Sequence, residues 1–75
     1  MMTESQRVVL DVLRGGGDYT FSEIGKILRI PVNRITPRID ELRKSGFCEF
    51  SIWRKCGVTG HNAKTWKAIT PRLAA

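Results

Sequence analysis

Residues 22–46, "SEIGKILRIPVNRITPRIDELRKSG", hold two helix-like segments separated by only Arg29, Ile30 and Pro31. In the second segment Ile35, Ile39 and Leu42 stand at i, i+4 and i+7, so one narrow face is apolar and turns inward. The opposite surface carries Asn33, Arg34, Thr36, Pro37, Arg38, Glu41 and Lys44, with Arg34 one turn from Arg38. Two helices joined by so tight a turn, the second presenting polar and basic groups from its first turns, form a helix-turn-helix. The second helix then runs over about 32–45, closed by Gly46.

Pro37 falls where that pattern is strongest, and two readings of it stand. Thr36 and Pro37 are an N-cap and first helical residue, with 31–35 a preceding turn. Alternatively the helix starts near Val32, and the proline kinks it and frees the Asn33 carbonyl. Ile35 continues the inward stripe of Ile39 and Leu42, which favours the second reading. Pro37 then tilts the turn that presents Asn33, Arg34 and Thr36, or simply faces solvent.

Upstream, "TESQRVVLDVLRGGG" places Thr3 and Gln6 at capping-box spacing and Val8, Val9, Val12 and Leu13 at helical intervals before three glycines, predicting a first helix over 5–14. "GDYTFSEIGKILRIP" repeats the capping pattern with Thr20 and Glu23, followed by an apolar stripe of Phe21, Ile24, Ile27 and Leu28. Tyr19 and Thr20 leave room for a one- or two-residue strand. Gly25, inside that helix, costs about 1 kcal/mol against alanine, which a close helix contact would explain.

Downstream, "FCEFSIW" alternates Cys48, Phe50 and Ile52 against Phe47, Glu49, Ser51 and Trp53. "KTWKAIT" is a second strand, and 54–64 between them reads as a long basic hairpin loop with two glycines. Trp53 and Trp66 are expected to pack across the hairpin, with stacking on bases as the other use for them. Pro71 ends the structured part, expected to be about 5–70, and 71–75 is a loose tail.

Seventy-five residues make a single domain with one small core, here 1–75. The charge is uneven: residues 1–28 net −1, whereas 29–67 hold nine bases against Asp40, Glu41 and Glu49 and net +6. A clustered basic half and a pI of about 10.0 call for an anionic partner. The first apolar run is interrupted by Asp11 and lacks the apolar core of a secretory signal, so a cytoplasmic protein with no membrane association is expected. Cys48, Cys56 and His61 are too few and wrongly spaced for zinc, and free thiols are the expectation in that compartment. No nucleophile–base pair, phosphate loop or paired acidic site is present, which points away from an enzyme and from any cofactor or metal.

The run "SEIGKILRIPVNRITPRIDELRKSGFCE" resembles the MarR-like winged-helix pattern, in which a helix, a turn, a recognition helix and an "LxxxGxxE" ending follow one another. "RKCGVTGHNAKTW" is similar to the wing of small phage and prophage winged-helix proteins. The resemblance implies an α+β winged helix-turn-helix, three helices followed by a two-stranded β-hairpin wing. It implies binding to duplex DNA, as a small transcriptional regulator or accessory factor of a phage or mobile element. Asn33, Arg34, Thr36, Pro37, Arg38 and Lys44 would lie along the major groove, and Arg54, Lys55, His61 and Lys64 on the backbone or minor groove. Pro37 departs from the pattern, which more often has a helix-compatible polar residue there. MarR-like proteins dimerise through terminal helices for which this chain has no room, so a monomer or weak homodimer is expected. The alternative function is a protein-interaction module, an inhibitor or adaptor docking its basic face on an acidic host protein.

Overall fold

Each of the first two helices starts on a threonine that exchanges hydrogen bonds with the residue three positions on. The Gln6 amide donates to Thr3 Oγ1 and the Thr3 amide to Gln6 Oε1, and Thr20 with Glu23 repeats the arrangement. Both pairs satisfy donors that a helix start leaves without partners. The computed structural model describes residues 2–69, so the expected break at Pro71 and the tail 71–75 lie outside the described residues. The order is α1 (Glu4–Arg14), α2 (Phe21–Leu28), α3 (Val32–Lys44), β1 (Cys48–Lys55) and β2 (Asn62–Ala68). Three helices followed by a two-stranded antiparallel hairpin are a winged helix-turn-helix.

The α2–α3 turn depends on Gly25. The Ile30 amide donates to its carbonyl at 3.0 Å, and a Cβ on Gly25 would stand 2.8 Å from the Ile30 oxygen. No side chain fits there without backbone movement, so the close approach anticipated from the sequence is between helix and turn. At the far end of α3, Gly46 adopts φ +83° while its amide reaches the Arg43 carbonyl and that of Phe47 the Leu42 carbonyl. This left-handed closure suits glycine and turns the chain into β1. Helix α3 runs unbroken from Val32 with Pro37 inside it, so the helix-start reading of Thr36-Pro37 is set aside.

Val9, Leu10 and Leu13 of α1, Ile24 of α2, Ile35, Ile39 and Leu42 of α3, and Cys48 and Trp66 of the hairpin form the core. Each large aliphatic contributes about 1.5–3 kcal/mol by its burial. Two expectations shift. Leu10 rather than Val8 or Val12 completes the buried α1 stripe, and Ile27 is exposed, because eight residues of α2 reach the core mainly through Ile24. Tyr19 forms a single antiparallel bridge to Trp66, adding a one-residue third strand.

The hairpin departs from simple alternation. Cys48, Glu49 and Phe50 pair with Ala68, Lys67 and Trp66, but Trp53 pairs with Lys64, so β1 carries one extra residue between Phe50 and Trp53. Thr65 fills the irregularity: its hydroxyl accepts from the Ile52 amide at 3.1 Å and donates to the Ile52 carbonyl at 2.8 Å. Beyond this bulge the faces exchange, and Trp53 joins Phe50 and Trp66 while Arg54 points the other way. The ladder continues to Lys55 and Asn62. The connecting loop is therefore 56–61, shorter than the 54–64 expected, because residues at both ends of that stretch pair with each other.

Candidate nucleic-acid interface

With Ile35, Ile39 and Leu42 turned inward, the helical repeat sorts the remaining α3 residues into a ridge and two flanks. Asn33, Pro37 and Lys44 form the ridge opposite the core. Arg34 and Arg38 fall on the α1 side, where a cleft of about 400 Å³ is lined by Ser5, Val9, Asn33, Arg34, Pro37 and Arg38. Thr36 falls on the side of the hairpin, where a second cleft of about 320 Å³ is lined by Phe21, Thr36, Pro37, Asp40, Arg43 and Trp66. Pro37 borders both. Its missing N–H leaves the Asn33 carbonyl without its helical donor at an exposed position open to water.

The charges along α3 differ in how far they are engaged. Arg38 Nε lies 3.0 Å from Glu41 Oε1, which also accepts from Gln6 Nε2 at 2.8 Å and so ties α3 to α1. Lys44 Nζ and Arg43 Nη2 share Asp40, at 3.1 and 2.8 Å. Hydrogen bonds from Arg43 and then Lys44 hold the Asp40 carboxyl below its usual value. Exposed pairs of this kind contribute little to stability. Arg34 is exposed and has no ion pair among the described residues. Thr36 donates its hydroxyl to the Val32 carbonyl at 3.2 Å.

On the hairpin, Lys55, His61 and Lys64 are exposed, and Lys64 Nζ stands 5.7 Å from the Trp53 ring centroid. Arg54 is different. Its Nε donates to Asp18 Oδ1 at 3.0 Å, Nη2 to Glu23 Oε1 at 2.6 Å, and Nη1 to Glu23 Oε2 at 2.8 Å. Glu23 Oε2 also accepts from the Gly57 amide at 2.8 Å, fastening the wing to the start of α2. The Arg54 hydrogen bonds, against burial, hold the Glu23 carboxyl down at about 2. Arg54 is thus the clamp that orients the wing, and its guanidinium is neutralised by two carboxylates. Nothing in the sequence marked this role, because Asp18 and Glu23 lie more than thirty residues upstream.

Both cysteines are buried and free. Burial pushes the Cys48 thiol up to about 11. Burial acts likewise on Cys56, but hydrogen bonds from Thr20 and from the Val58–Thr59 turn outweigh it and bring that thiol to about 7. Among the described residues no group of three or more His, Cys, Asp or Glu side chains is placed to hold a metal, and no helix is long and apolar enough to cross a membrane.

The fold has a counterpart among solved structures. Wild-type MarR from E. coli, in its apo form, superposes with a TM-score of 0.71 at 23% identity, over 92% of this chain and 48% of that one. The chain therefore spans about half the length of MarR and has the winged-helix fold found there. No family model and no curated protein matches it.

Proposed function

We propose that this chain binds duplex DNA sequence-specifically, with α3 in the major groove and the hairpin on the backbone or minor groove, as a small transcriptional regulator. The observation that supports this reading is a fold shared with MarR on which α3 carries exposed Arg34 and Asn33 and the wing carries exposed Lys55, His61 and Lys64. Arginine pairs with guanine O6 and N7, asparagine with adenine N6 and N7, and lysines neutralise phosphates. Arg38, Lys44 and Thr36 extend the α3 contribution along its flanks and ridge, and Pro37 sets how the first turn is aimed. Arg54 serves this function through the wing's orientation rather than by contact. A cytoplasmic monomer or weak homodimer acting in a phage or mobile element completes the proposal.

Salt titration of duplex binding tests it. Each phosphate neutralised lowers log K by about 0.9 per log unit of salt, so roughly four contacts give a slope of about −4. A flat response, with capture of an acidic host protein by the same basic surface, would establish the protein-docking alternative instead.

A further inference from the structure

Trp53 is the most exposed large apolar side chain of the described residues, at 61%. Its expected partner is elsewhere: Trp66 lies opposite Phe50 and stacks on Phe21, with ring centroids 5.9 Å apart and planes inclined by 10°. Trp53 is thus dispensable to the core. The bulge held by Thr65 turns it onto the face it shares with Lys64, and the two border a cleft of about 340 Å³ between the hairpin and the starts of α2 and α3. Phe21 and Val32 supply apolar walls there, and Ser22 a hydroxyl.

An uninterrupted duplex offers a hairpin its phosphates, sugars and base-pair edges. A solvent-facing indole can touch a sugar or a thymine methyl there, but no base face is open to it. The nucleic-acid group that matches it is the face of an unstacked base, and stacking on an aromatic side chain contributes about 1–3 kcal/mol per base whatever the sequence. Lys64 Nζ stands over one face of the ring, 5.7 Å from its centroid, so a base stacks on the opposite face and the ammonium is near enough to meet the phosphate of the same nucleotide. We infer that Trp53 and Lys64 form a base-stacking site, and that the chain prefers DNA in which duplex adjoins unpaired nucleotides over blunt duplex. This inference rests on the DNA-binding reading above.

The test compares three labelled DNAs in equilibrium binding: a blunt duplex, the same duplex with a single-stranded thymidine tail, and the same duplex with an abasic tail of equal charge. The thymidine tail is expected to bind about 10-fold tighter than the abasic tail, within the range of one stacked base. Trp53→Ala removes that difference and leaves blunt-duplex affinity unchanged, Trp53→Phe keeps most of it, and tail binding quenches tryptophan emission in the wild type but not in Trp53→Phe. Equal affinity for the two tails, or a preference that survives Trp53→Ala, overturns the stacking site while leaving duplex binding intact. Absence of binding to all three DNAs overturns the duplex reading together with it.

Discussion

Replacing Glu23 with glutamine removes the anion on which the wing clamp turns. In the native chain this side chain is 15% exposed, accepts two hydrogen bonds from Arg54 and one each from the Gly57 and Thr20 amides, and its carboxyl is lowered from 4.5 to about 2. At about 1.36 kcal/mol per unit, the depression corresponds to about 3 kcal/mol of stability at neutral pH. Glutamine keeps one acceptor and Asp18 still holds Arg54, so the expected loss is about 2–3 kcal/mol, or about 10–20 °C in melting temperature for a domain of this size. Because the folded value is depressed, the contribution is fully present above about pH 4.5 and disappears as pH falls toward about 2. Urea unfolding of both proteins at several pH values measures it. The gap should be wide at pH 7 and close near pH 2. A gap below about 0.5 kcal/mol at pH 7, within the range of ordinary surface substitutions, or one that persists unchanged at pH 2, would refute the clamp.

Gly25→Ala gains about 1 kcal/mol of helix propensity but drives a methyl to 2.8 Å from the Ile30 oxygen, so thermal unfolding should show net destabilisation, and an unchanged or raised midpoint would contradict that geometry. Pro37→Ala restores a donor for the Asn33 carbonyl, so the melting temperature should hold or rise while sequence preference shifts; a large loss of stability with unchanged preference would show that Pro37 has another role. Arg34→Ala should relax preference among sites at a cost of about 1–3 kcal/mol, whereas Lys55→Ala should weaken all sequences alike, and the reverse result in a binding-site selection would interchange the proposed roles of helix and wing.

The helices were legible because their signals are local. Thr3 with Gln6 and Thr20 with Glu23 form the capping boxes their spacing announces, and Ile35, Ile39 and Leu42 face inward as their period requires. Where the reading failed, the cause lies far away in the chain. Simple alternation predicts which way Trp53 and Arg54 point, but the Thr65 hydroxyl takes the place of a backbone partner and exchanges their faces. Arg54 reads as a free cation of the wing until folding brings Asp18 and Glu23 to it. The strands reach the wing tip because Lys55 and Asn62 pair, a contact that loop-like composition around the glycines concealed. The α3 surface was recognisable as polar and basic, but which residues form its ridge and which flank each cleft depended on the direction of the core.

The central claim is sequence-specific recognition of duplex DNA by α3, and the most direct measurement is the affinity spectrum of the purified chain over a random duplex pool at physiological salt. The account predicts a selected sequence bound at least about 10³-fold more tightly than the pool average, with that margin reduced by Arg34→Ala. Binding no tighter than about 10⁻⁴ to 10⁻⁶ M on every sequence, the range of non-specific attraction to phosphates, would contradict it.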